Sequence, residues 1–256
     1  MSEHFLHVLG CSGGAGDGLL TTSLWLDKRI LIDAGTGLGN LSEQEMLSID
    51  HVLITHSHQD HIALLPLWLE RVYATRTQPV TIYGRCEVLE TLKQHVFNWE
   101  IYPDFAQLSL LSNKNSSLIR YQEMEENKTM EIAGWQVRGV AMDHTVPGFS
   151  YIFECDELRF AFTGDTRSLK NLISERLDIL MCEVSYPDAL EDLAELTGHM
   201  TPAMLKRDMA QFTTPPRLWI SHFKPHYLKE LQQAMAPLLK EFRGIILESG
   251  NAYPLM

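Results

Sequence analysis

The sequence predicts an α/β chain folded as an αββα four-layer sandwich, two sheets back to back with helices on the outside. Three observations lead there. Short apolar, β-branched runs come in meanders. Each meander gives way to helical segments, and that succession occurs twice along the chain. No repeat, low-complexity stretch or linker divides the 256 residues, so 1–256 reads as a single domain, with 45% apolar and 21% charged residues to supply an ordinary core.

In order, HFLHVLG reads as the first strand, ending in the glycine-rich turn CSGGAGDG. TTSLWLD and RILIDAG form a hairpin around Lys28 and Arg29, and HVLIT is a short buried strand. IALLPLWLERVY is helical, with Pro66 expected to kink or interrupt it. PVTIYG follows as a strand and EVLETLKQHVF as a helix, before a polar, irregular stretch over 98–130. A β-rich block then comprises MEIAGWQVRGVAM, FSYIFEC and LRFAFTG. From 178 the pattern runs DILMCEV (strand), a helix, TPAMLKRDMAQF (helix), RLWISH (strand), HYLKELQQAMAPLLKEF (helix) and GIILES (strand).

The net charge of −12 favours solubility and gives no support to a nucleic-acid surface. Cys11, Cys86, Cys155 and Cys182 are scattered without a C-x-x-C pair, as free thiols in a reducing compartment would be. The opening MSEHFLHVLG lacks the basic lead and apolar core of a secretion signal, and no apolar run approaches the roughly 18 residues of a membrane helix. A cytoplasmic location and no membrane partner are expected. Apolar residues in 62–73 and 98–111 fit either core packing or a contact with a second copy in a homo-oligomer.

Directly after HVLI stands THSHQDH, with His56, His58, Asp60 and His61 inside six positions. Side chains two apart in an extended segment fall on one side, so His56 and His58 can reach one ion together. Asp60 and His61, where the chain turns into the next helix, can face a second. Imidazole and carboxylate suit zinc, with manganese and iron accepting the same set. A lone loop histidine would mean nothing, but this cluster has counterparts at three later strand ends: His144 in AMDHTVPG, Asp165 in FAFTGDT and His222 in LWISHFKP. Seven ligand-type groups fill two sites of three with one further carboxylate shared between them.

The order H-x-H-x-D-H, histidine, GD, histidine resembles the metallo-β-lactamase superfamily of dinuclear metal hydrolases from the first strand to the last. That resemblance implies His56, His58 and His144 on one metal, Asp60, His61 and His222 on the other, and Asp165 bridging. It also implies that Asp33, in LIDAG, supports the histidine loop. A dinucleotide-binding reading of the glycines at 10–18 fails, because G-x-G-x-x-G is absent and no crossover helix follows.

Within the superfamily, EVSYP at 183–187 followed by GHMTP at 198–202 resembles the class II 3′,5′-cyclic-nucleotide phosphodiesterases. Met200 stands where leucine is expected. HTVPGFSY and FTGDTR are similar to segments of that family and of the transfer-RNA 3′-end endonucleases. The implied enzyme is a metal-dependent phosphodiesterase. Two cations would neutralise the diester and activate a bridging water, with Asp60 orienting the nucleophile. His199 would protonate the leaving oxygen, held by Glu183. Thr201 is the expected N-cap of the following helix, with Pro202 at its first position. A small cyclic nucleotide is the expected substrate. The alternatives are an RNA 3′-end nuclease, whose basic arm has no counterpart here, and a lactone or thioester hydrolase with the same metal ligands. Thr145, Ser185, Tyr186 and the aromatics of FNWEIYPDF are candidate recognition groups, the last equally readable as a patch of core.

Overall fold

The structure is a computed structural model that describes residues 4–255. Its first half runs β1 (Phe5–Gly10), β2 (Ser23–Leu26), β3 (Ile30–Ile32), α1 (Glu43–Leu47), β4 (His51–Leu53), α2 (Gln59–Ile62), α3 (Leu65–Tyr73), β5 (Val80–Gly84), α4 (Cys86–His95) and β6 (Ile119–Glu123). The second half runs β7 (Thr129–Ile132), β8 (Trp135–Ala141), β9 (Phe149–Cys155), β10 (Leu158–Phe162) and β11 (Ile179–Glu183). It continues through α5 (Glu191–Thr197), α6 (Pro202–Met209), β12 (Arg217–Ser221), α7 (Leu228–Glu241), β13 (Ile245–Ile246) and β14 (Ala252–Pro254).

Two seven-stranded sheets result, ordered β14-β1-β2-β3-β4-β5-β6 and β13-β12-β11-β10-β9-β8-β7. In each, an antiparallel meander joins a parallel run: β3 to β6 in the first sheet, β10 to β13 in the second. The inner parallel strands are covered on both faces, with β3 (ILI) and β11 (ILMCE) buried throughout. Apolar clusters fill three interlayer spaces. One lies between the first sheet and α1, α3 and α4, and one lies between the sheets, where Phe153 stacks on Phe160 at 4.7 Å. The third lies under α5, α6 and α7. This is the αββα sandwich expected from the sequence.

The hairpin between β2 and β3 turns at Asp27 and Lys28, both with positive φ (48° and 56°), the primed turn whose twist matches paired strands. Four local features add to or refine the sequence expectations. The interruption expected at Pro66 occurs two residues earlier, at Ala63 and Leu64, and Pro66 occupies the first turn of α3, where no N–H is missed. The irregular stretch 98–130 contains β6, paired in parallel with β5, although its IRYQE alternates too weakly to announce a strand. α1 escaped notice, yet Ser42 and Glu45 form a complete capping box at its start. β14 was also missed; it returns to pair with β1 and edge the first sheet. Residues 1–3, part of the segment read for a secretion signal, lie outside the described residues, as does residue 256.

Candidate metal centre

The functional side chains leave the carboxyl ends of the parallel strands, where a sheet of this kind opens onto a crevice. Asp33 follows β3, His56, His58, Asp60 and His61 follow β4, Asp165 follows β10, Glu183 ends β11 and His222 follows β12. Asp33 and His222 hold positive φ (57° and 66°), which swings each side chain off its strand line. Three groupings form, each with ligand atoms within 4.8 Å of one another: His56, His58, His144 and Asp165; Asp60, His61, Asp165 and His222; and Glu183, His199 and His222. All seven expected positions therefore meet at one place.

Asp165 is buried at the join. Its Oδ2 lies 3.7 Å from His56 Nε2, while its Oδ1 lies 3.3 Å from both His61 Nε2 and His222 Nε2. Asp60 Oδ2 sits 3.3 Å from His222 Nε2 and 3.9 Å from His61 Nε2. On the other side, His144 Nε2 and His58 Nδ1 are 3.0 Å apart.

The outer nitrogens of these rings are committed as donors. His61 Nδ1 donates to Asp33 Oδ2 at 2.7 Å, and His144 Nδ1 donates to the Gly198 carbonyl at 2.7 Å. Thr55 spends its single hydroxyl proton on Asp33 Oδ2 (2.8 Å), so His56 Nδ1, 3.0 Å away, must donate to Thr55. In the neutral ring the inner nitrogen is then a lone pair facing the cluster. His56 Nε2 shows what this leaves: it is buried and has no hydrogen-bond partner. Lone pairs and carboxylate oxygens converging around an orphaned buried nitrogen are a donor set that fits divalent cations.

The local charges divide the rings, with His56, His58 and His144 pushed toward the neutral form and His61 toward the charged one. Burial opposes charge on Asp165, but His222 and His61 outweigh it and hold its carboxyl well below the usual range. Burial likewise opposes charge on His61, yet Asp165 and Asp33 keep it well above the ordinary histidine value. His56, with burial and then His61 against its charged form, is pushed well down. Burial also lowers His58 and His144.

At the edge of the cluster Glu183 and His199 form a buried pair. His199 Nδ1 donates to Glu183 Oε1 at 2.7 Å and lies 3.9 Å from Asp165 Oδ2. Glu183 also accepts from Thr166 N–H (2.9 Å) and Ser185 Oγ (2.6 Å), three donors that suit an ionised carboxylate. Burial works against charge on His199, but Glu183 prevails and raises its pKa. Gly198 places this histidine: its φ of 77° ends α5, and a Cβ there would lie 2.6 Å from His144 Nδ1. Thr201 caps α6 through Met204 N–H, with Pro202 at the first turn, as expected.

The recognition candidates divide. Tyr186 lies edge-on to His199, ring centres 5.8 Å apart. Thr145 is exposed beside His144. Ser185 is fully buried against Glu183 and His222, so it is not a substrate contact. Phe97 and Phe105 sink into the core under the first sheet, where Phe105 also meets Tyr73 and Tyr102, so core packing is the reading that holds for them; Trp99 of the same segment stays exposed. Thr55 and Thr166 were not singled out from the sequence, although each immediately adjoins a ligand position at a strand end.

Residues 28–223 match the family described as the β-lactamase superfamily domain. The chain is 25% identical to a probable 3′,5′-cyclic-nucleotide phosphodiesterase of Yersinia pestis, covering 88% of this chain and 82% of that one. It is 21% identical to a ribonuclease Z of Thermoplasma acidophilum, covering 83% and 82%. Unliganded yeast PDE1 superposes with a TM-score of 0.78 at 17% identity, over all of both chains. No described helix is long and apolar enough to cross a membrane.

Proposed function

The chain belongs to the β-lactamase superfamily, and on that premise we propose that it is a metal-dependent phosphodiesterase acting on a small phosphodiester, a 3′,5′-cyclic nucleotide, to give the 5′-monophosphate. The observation that carries this reading is the buried Glu183–His199 pair at 2.7 Å, beside the seven ligand-type side chains. Hydrolysis of a phosphodiester expels an alkoxide, which needs a proton; a thioester, which expels a stable thiolate, has less use for a separate acid at that edge.

His56, His58, His144 and Asp165 would hold one ion, and Asp60, His61, His222 and Asp165 a second, zinc by preference of the donor set. Bound there, the ions would neutralise the diester and make water a nucleophile near neutral pH. The chain's own groups do the rest. His199 is tied through Nδ1 to Glu183, so Nε2 is the edge it can offer to a leaving oxygen. Glu183, held by Thr166 and Ser185, steadies the protonated ring and fixes its orientation. Asp60, partly exposed, orients the attacking water. The catalytic unit comprises the whole of 1–256, since both halves contribute side chains to it.

A second reading, an RNA 3′-end nuclease, is supported by the similarity to ribonuclease Z. Turnover of the zinc- and manganese-loaded protein on cyclic AMP, cyclic GMP, a transfer-RNA precursor and a simple lactone separates these. Cyclic-nucleotide hydrolysis well above the rest is the expected result. Activity on the RNA alone would replace the substrate, and activity on the lactone alone would reject the phosphorus chemistry.

A further inference from the structure

Two buried carboxylates, one from each half of the fold, are wired alike. Asp33 takes a backbone N–H from Thr55, one imidazole directly (His61) and a second imidazole through a hydroxyl, His56 by way of Thr55. Glu183 takes a backbone N–H from Thr166, one imidazole directly (His199) and a hydroxyl from Ser185. Ser185 Oγ is in turn 3.0 Å from His222 Nδ1. The geometry points to Ser185 as a positioning residue that fixes His222 for the Asp60 and Asp165 side of the centre, so that Glu183 serves the proton donor and a metal-side histidine at once. This inference rests on the reading of His222 as a metal ligand.

A serine hydroxyl has one proton and two lone pairs. At 2.6 Å, within the range of a hydroxyl donating to an ionised carboxylate, that proton belongs to Glu183 Oε2. The competing acceptor, the His222 carbonyl at 3.2 Å, is farther. What remains on Ser185 Oγ is acceptor capacity, so His222 Nδ1 must be the donor. Its Nε2 is then the lone-pair nitrogen, facing Asp60 Oδ2 and Asp165 Oδ1 at 3.3 Å each. Ser185 is fully buried, out of reach of bulk solvent. Gly13 closes the other side: a Cβ there would lie 2.9 Å from His222 Nδ1.

Ser185→Ala removes the relay and leaves the 2.7 Å contact between His199 and Glu183 in place. The test uses the full-length chain loaded with zinc and titrated with a competing chelator, counting ions retained. Loss of an outer hydrogen bond to a ligating histidine typically weakens metal binding about 10- to 100-fold. The expected result is that one class of site in Ser185→Ala gives up zinc at about 10- to 100-fold lower chelator while the other is unchanged, with binding restored by Ser185→Thr, the hydroxyl that Thr55 already provides opposite. Unchanged retention overturns the inference, and so does equal loss from both classes. Where Ser185→Thr misfolds by circular dichroism, nitrogen NMR of the His222 ring in metal-free wild type and Ser185→Ala decides. An Nδ1–H ring in wild type that becomes mixed in the variant is expected; no change refutes. Neither readout uses a phosphodiester, so a chain that binds zinc in this pattern but hydrolyses none would fail the proposed function alone. Zinc bound without His222 would fail the inference.

Discussion

His199→Ala is the substitution that separates proton donation from everything else the site does. After truncation Glu183 keeps two of its three donors, Thr166 N–H at 2.9 Å and Ser185 Oγ at 2.6 Å, so its charge is not stranded in the interior. None of the seven ligand-type residues is removed. The loss should therefore fall on the leaving group. General acid catalysis contributes about 10²- to 10⁴-fold, equivalent to about 2.7–5.5 kcal/mol of barrier. A cyclic nucleotide, which expels an alkoxide, should lose that much in kcat. Bis(nitrophenyl) phosphate expels a stable phenolate and should lose less than about tenfold. The assay is kcat on both substrates with the same metal-loaded preparation, with zinc content measured in parallel. Equal losses on the two substrates at unchanged zinc content would refute the acid role, leaving the Glu183–His199 contact a structural one.

Asp165→Ala should lose zinc from both classes of site as well as activity, since its two oxygens face different histidines; full metal content by elemental analysis would contradict the bridging position. Prolonged dialysis against a chelator should abolish turnover and zinc addition restore it, and activity persisting in metal-free protein would reject the metal chemistry altogether. Phe160→Ala, in the intersheet core against Phe153 and Trp135, should cost about 3–5 kcal/mol in denaturant unfolding without altering the leaving-group preference of what remains folded. Thr201→Ala removes a buried helix cap and should cost about 1 kcal/mol, up to about 2, while kcat per folded molecule holds; a large fall in kcat at native stability would move Thr201 into the catalytic machinery.

The clustering of the seven ligand-type groups was legible because their chemistry is local. Four of the seven groups fall in one hexapeptide after a buried strand, and the other three each close an apolar run that announces a strand end. The sandwich was legible for the same reason: β3, β11 and β12 are covered on both faces and carry uninterrupted apolar residues. What escaped depends on partners far away in sequence. β6 is an edge strand with Arg120, Gln122 and Glu123 exposed, so its pattern looks like loop. β14 is three residues long and exists because β1 offers it an open edge. Ser185 looks like a substrate contact in EVSYP, and only its placement against His222, 37 positions later, shows it turned inward.

The crossover between the sheets passes through Glu125 to Lys128, four exposed residues between β6 and β7. A chain severed there would yield two fragments, one carrying His56, His58, Asp60 and His61, the other His144, Asp165, His222, Glu183 and His199. Neither would own a complete centre, and each would present half of the intersheet apolar surface to water. Yet β14 travels with the second fragment while its pairing partner β1 stays with the first, so the pieces retain a strand-sized clasp for finding each other. The topology therefore predicts fragment complementation, two inert parts that should regain turnover together only when they meet.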